Sequence, residues 1–136
     1  ILNQKAYNKF LELVKNQGGD ISYIENTEKF PKAKYIEPII AKTSGYICEI
    51  DAKEIGKLAC YLGAGRIKKE DKIDSSVGIV LNKKVSERVI ENEILGYVHG
   101  NDIEKTENVI DKINEVIKIE EQKTNVLPTI IEVLGN

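Results

Sequence analysis

Few residues in this sequence are of the types that chemistry needs, and their spacing limits what each can do. His99 is the only histidine. The stretch YVHGND sets it beside Asn101 and Asp102, a grouping that suits a general base or a metal ligand. There is no second histidine, and Cys48 and Cys60 lie apart, so the usual zinc spacings cannot be assembled. His99 therefore reads better as a surface or partly buried structural residue. The two cysteines sit inside apolar runs and read as buried thiols of a cytosolic protein, although spacing alone leaves a disulfide open. Asp71 and Asp74 in KEDKIDSS are a candidate carboxylate pair, but no partner acid or base is near them in sequence, and a solvated loop is the better reading. No GxSxG, CxxC or Cys–His pair occurs. These residues assemble no catalytic site by themselves.

The run LACYLGAGR, from Leu58 to Arg66, is the other feature that could carry function. A phosphate cradle places its glycines between a strand and the N-terminus of a helix. Here Gly63, Ala64 and Gly65 follow a helical pattern instead, so they read as residues that turn and pack the chain. Arg66, just past a helix end, is placed to bond free carbonyls or a nearby carboxylate.

The elements that must position these residues can be read in order. Asn3 can cap a helix with Tyr7, Phe10, Leu11 and Val14 on one face, stopped at NQGGD by Gly18. A polar segment over residues 21–34, punctuated by Pro31, reads as a linker. YIEPIIA and GYICEI are β-rich runs separated by KTSG, and Pro38 puts the first at a sheet edge or an irregularity. Asp51 with Glu54 opens a helix bearing Ile55, Leu58, Ala59 and Leu62, with Gly56, Cys60 and Gly63 as a small-residue stripe for close packing. VGIVL and EILGYVHG are strands separated by the polar NKKVSERVIEN. Asn101 with Glu104 begins a third helix, with Val109, Ile110, Ile113, Val116 and Ile117 apolar. KIEEQKTN reads as a polar connection and TIIEVL as a last strand. That order predicts an α+β fold.

The whole has 136 residues, 41% hydrophobic and 31% charged, with a formal net charge of −2. This suits one compact domain with a short appendage. The near-neutral, slightly acidic balance argues against nucleic acid as a partner. No run approaches the roughly 20 apolar residues of a membrane span. With no methionine and an opening of ILNQKAYNKF, the sequence reads as a piece of a longer protein.

FLELVKNQGGD, AKTSGYICEID, EIGKLACYLGAGRIKKEDKID and VGIVLNKKV occur here in an order and spacing that resemble the C-terminal part of pyrimidine-nucleoside phosphorylases. Thymidine phosphorylases and archaeal AMP phosphorylases are similar there. The most specific piece is LGAGR followed by a charged loop, Asp74 and the VGI that contains Gly78. The resemblance implies a cytosolic, homodimeric salvage enzyme that cleaves thymidine, deoxyuridine or uridine with inorganic phosphate as co-substrate. Its phosphate-binding segment, of the type KHSTGGVGD, and its pyrimidine-contacting Arg, Ser and Lys do not occur here. No catalytic or substrate-binding residue, cofactor or metal is therefore expected in this chain. Gly45, Gly63, Ala64, Gly65, Arg66, Asp74 and Gly78 are expected to be structural.

By the same resemblance, residues 1–20 are the last helix of an upstream α/β catalytic domain. Residues 21–34 are then a linker, and residues 35–136 a hammerhead-like C-terminal domain with a β barrel-sandwich. Gly45 and the VSERVIENEIL stretch resemble the paired turns of such folds, where Ser86, Glu87 and Asn92 stand in for GDxVxxG. Asn92 suits a left-handed conformation, whereas Ser86 pays more for φ > 0. The expected partner is the enzyme's own upstream domains, with self-association through the first helix. The barrel-sandwich also serves swinging-arm carriers, for which Lys83 and Lys84 in LNKKV are the nearest modifiable residues. Neither has a carrier's flanking motif. A purely structural interaction module is the third reading.

Overall fold

A computed structural model describes residues 4–125 and residue 132. Asn3 as a cap and TIIEVL as a strand fall outside the described residues. The chain divides into two compact units, Ile1–Pro31 and Lys32–Asn136.

In the first unit, helix α1 spans Lys5–Asn16 and buries no residue completely. Phe10 is 49% and Leu13 57% exposed, so its apolar face is open. Gly18 takes φ 77° and donates its N–H to the Lys15 carbonyl, while Gly19 bonds Val14, which closes the helix. Residues 21–30 are more ordered than a linker: a short helix α2 (Ser22–Glu25) is followed by a 3₁₀ turn at Thr27–Lys29. Asp20 accepts the Ser22 N–H and Asn26 accepts that of Glu28, the local side-chain bonds that favour such turns. Tyr23 and Phe30 then meet edge to face, with ring centroids 5.4 Å apart.

The second unit is α+β, with strands β1 (Tyr35–Ile40), β2 (Gly45–Ile50), β3 (Gly78–Leu81), β4 (Arg88–Val89), β5 (Ile94–Gly100) and β6 (Ile117–Glu120), and helices α3 (Ala52–Leu62) and α4 (Ile103–Val116). Among the described residues the strands form two antiparallel three-stranded sheets, ordered β1–β5–β3 and β4–β2–β6, and no closed barrel. Pro38 lies on β1, at the edge of its sheet, and the β1–β5 register shifts between Ile39 and Ile40. KTSG joins β1 to β2 without pairing them: the chain passes there from one sheet to the other.

Helix α4 packs on β1, β5 and α3, and α3 also contacts β3. Ile39, Ile47, Leu95, Val98, Val109 and Ile113 fill the shared core. Thr106 is fully buried among them, which is tolerable because its hydroxyl donates to the Asp102 carbonyl at 2.6 Å.

Several local readings are corrected. The cap of α4 is Asp102, whose side chain accepts the Lys105 N–H; Asn101 is engaged elsewhere. The helix stops at Val116, and Ile117 begins β6, so KIE of the polar connection is a strand paired with β2. NKKVSERVIEN contains β4. Gly56 has open space where a Cβ would stand, so nothing among the described residues uses it for close packing. Both cysteines are free and half-buried; they are neither fully buried nor joined.

Ser86 and Asn92 both adopt left-handed conformations, φ 74° and 69°. Each is the third residue of a turn closed by an i→i+3 backbone bond, Glu87 to Lys84 and Glu93 to Ile90. Ser86 donates its N–H to Ile47 and Asn92 to Ala41, which sets the strain of Ser86 against a 2.7 Å backbone bond to β2.

Candidate functional site

The end of α3 organises the polar centre of the second unit. Asp51 starts the helix by accepting the Lys53 and Glu54 N–H groups. At the other end Gly63 takes φ 113°, its N–H bonds Cys60 and the Ala64 N–H bonds Ala59. This pair of bonds is the Schellman closure, which needs a left-handed residue that only glycine supplies cheaply. Ala64 packs against the core. Gly65 is small for a different reason: a Cβ there would overlap the Cys60 sulfur. Gly65→Ala should therefore cost about 1–3 kcal/mol, and Cys60→Ala in the same chain should restore most of it, read from urea midpoints. Arg66 is exposed and makes no hydrogen bond or ion pair among the described residues; the Ala59 and Cys60 carbonyls at the helix end are taken by Ala64 and Gly63.

The Gly63 carbonyl accepts the Asp74 N–H at 3.0 Å, which brings Asp74 to the helix end. One carboxylate oxygen of Asp74 accepts both the N–H and the hydroxyl of Ser76, at 2.9 and 2.6 Å. The other accepts the Asn101 amide at 2.7 Å. Asn101 also donates to the Ser76 hydroxyl at 2.9 Å, and its carbonyl oxygen accepts the Lys34 N–H at 2.8 Å. Three segments that are remote in sequence, at Lys34, at Asp74–Ser76 and at Asn101 itself, thus meet on one amide. The Ser76 hydroxyl, the Ser76 N–H and the Asn101 amide, in that order, hold the Asp74 carboxyl below its ordinary value. A carboxylate so held is a fixed anion, unsuited to take up a proton near neutrality.

Since Asp74 titrates lower in the folded chain than in the unfolded one, its stabilising contribution is complete above about pH 3.8 and is lost as pH falls through the folded value. The difference in stability between the native chain and Asp74→Asn should accordingly shrink below that pH. Urea melts of both proteins between pH 2 and 6 check this, and a constant difference would contradict it.

Asp71 does not join Asp74. It closes its own turn by accepting the Ile67 and Lys68 N–H groups at 3.1 and 2.8 Å. His99 lies on β5, opposite Ile36 of β1 and Gly78 of β3, half-buried and without a hydrogen bond in the Asp74 cluster. Gly45 begins β2 against the backbone of β6, where a Cβ would stand 2.5 Å from the Glu120 carbonyl oxygen. Lys83 and Glu93 pair at 2.5 Å; their mutual hydrogen bond raises the lysine's pKa and lowers the glutamate's. Lys84 is exposed. No group of three His, Cys, Asp or Glu side chains that could hold a metal ion occurs among the described residues. A cleft bounded by Glu49, Asp51, Glu54, Lys112, Glu115 and Lys118 has three of its four acids already engaged. The centre built by α3, Asp74, Ser76 and Asn101 is a junction of the fold.

Ser76 and Lys34 were not legible as members of this junction. The Asp-x-Ser spacing of Asp74 and Ser76 is the local signal for their turn, but nothing local points to Asn101 or Lys34.

A family model described as the pyrimidine nucleoside phosphorylase C-terminal domain matches residues 46–120. Among curated proteins, a pyrimidine-nucleoside phosphorylase of Staphylococcus haemolyticus is 47% identical over 131 residues, 96% of this chain and 30% of that protein. One of Staphylococcus epidermidis is 48% identical over 116 residues, 85% of this chain and 27% of that protein. One of Staphylococcus aureus is 43% identical over 126 residues, covering 93% and 28% respectively. The chain therefore spans less than a third of the length of these relatives.

Proposed function

Because this chain belongs to the pyrimidine nucleoside phosphorylase C-terminal domain family, we propose that it is the accessory domain of an enzyme that cleaves pyrimidine nucleosides with inorganic phosphate. The products are the free base and a pentose 1-phosphate, and the enzyme works as a cytoplasmic homodimer in nucleoside salvage. The observation that carries the reading is the 47% identity over nearly the whole chain. It is supported by the junction itself, whose acid, hydroxyl and amide are consumed by one another. The domain's work is then to support a site built by polypeptide beyond these residues, and it is inactive alone. The two sheets favour the finer reading of a barrel-sandwich, since two turns at Ser86 and Asn92 each bond back to one of Ile47 and Ala41. The open face of α1, with Phe10 and Leu13, favours self-association of the isolated chain through that helix.

Release of free base from thymidine or uridine tests the proposal. The full-length protein should show phosphate-dependent release and the pure 136-residue chain none. Turnover by the short chain would overturn the accessory role, and a folded full-length protein inactive on both nucleosides would overturn the parent activity.

A further inference from the structure

The two sheets differ on their outer faces. Residues paired across an antiparallel sheet share a face. In the β4–β2–β6 sheet the outward positions include Tyr46, Arg88 and Glu120, followed by Glu49 and Lys118, which pair at 2.5 Å. This is the charged face that water requires of an antiparallel sheet packed on one side only.

The β1–β5–β3 sheet has no such face. Opposite Ile36 stands His99, and opposite Pro38 stands Tyr97, which also faces Val80. Past the register shift, Ile94 continues the same surface. Ile36 is 50% and Val80 48% exposed, and no Asp, Glu, Lys or Arg stands at these paired positions across the three strands. A contiguous, mostly apolar surface of this kind marks a contact site. The same chain builds a charged outer face from strands that alternate in sequence with these, Tyr46 following Ile36 by ten residues and Arg88 following Val80 by eight, so composition does not explain the difference.

We propose that the outer face of the β1–β5–β3 sheet is where the rest of the intact protein, beyond these 136 residues, docks with an apolar surface of its own. The occupant follows from length and charge. At least 70% of the length of each relative described above lies outside the aligned region, a mass of polypeptide that a domain of this size must meet somewhere. Apart from His99, the face presents no acidic or basic side chain for steering a separate charged partner, whereas a tethered surface needs none. The proposal rests on reading the chain as one domain of a longer phosphorylase.

Full-length protein carrying single Ile36→Cys, Val80→Cys or Arg88→Cys changes would be labelled with a maleimide and followed by peptide mass. The first two should react at least about tenfold more slowly than the third, the difference a covered and an open surface produce. Rates equal to that of Arg88→Cys would overturn the proposal. Protection that disappears on dilution would overturn it also, since a second copy would then be the cover. Should the cysteine variants not fold, hydroxyl-radical oxidation of the unaltered protein compares Ile36 with Ile90, the same side chain in an exposed turn; equal oxidation would overturn the docking. Base release measured on the same sample reports the parent activity separately, so docking can fail while the activity stands, and the reverse.

Discussion

Gly96→Ala should destabilise this domain by about 3 kcal/mol or more. Gly96 lies on the central strand, facing Ile39 on one side and Leu81 on the other. A Cβ there would overlap the backbone carbonyl oxygen of Val80 and approach the Cα of Leu81 to 3.0 Å. A side-chain neighbour can change rotamer; a backbone carbonyl in a sheet can move only by parting the strands. The same substitution at Gly56 should have the opposite sign. That glycine is exposed in the middle of α3, with nothing within 4 Å of the added atom. Alanine in a helix interior gains about 0.5–1 kcal/mol over glycine. Urea midpoints of the two variants would fall on either side of the native value. A Gly96→Ala protein of native stability would mean that β3 and β5 are farther apart than described.

Asn101→Ala is expected to lower stability by about 2 kcal/mol, on the basis that a net 0.5–1.5 kcal/mol accompanies each ordinary hydrogen bond lost. The amide makes three such bonds and joins the start of β1, the Asp74 turn and the entry to α4. Truncation would leave the Lys34 N–H and one Asp74 oxygen to find water. Asp102→Ala, which removes only the cap of α4, should cost less, about 1 kcal/mol. If the order of the two were reversed, the three bonds of the Asn101 amide would together contribute less than the single cap bond accepted by Asp102.

Where the controlling interaction is local, the sequence was sufficient. Asp51 and Gly63 bracket α3 because a capping carboxylate and a left-handed glycine act within one turn of the helix. Pro38 signals an edge because the missing N–H is a property of that residue alone. Asn101 misled for the converse reason: two capping residue types stand side by side, and a partner 27 residues away decides between them. Strand β6 was hidden by the helix before it. Ile113 and Ile117 continue the helical spacing of α4 although the backbone has already become extended at Ile117. The alternation of Ile117 and Ile119 inward with Lys118 and Glu120 outward is visible only once the helix is known to have stopped. The junction at Asp74 was legible as a conspicuous aspartate but not as a network, because its members come from four separate stretches.

Pairing of β1 with β5 also sets an order of events during synthesis. Tyr35 meets Gly100, so 65 residues must follow Tyr35 out of the ribosome before its partner strand is complete. At typical elongation rates this takes about 3–13 s, far longer than a local hairpin needs to form. Throughout that interval β1 is an apolar strand without its partner, open to pairing with another nascent chain. Pro38 interrupts its row of donors near the middle, so an intruding strand finds a gap where continuous pairing would be needed. The proline that marks the edge of the finished sheet is thus also a guard against aggregation while that sheet does not yet exist.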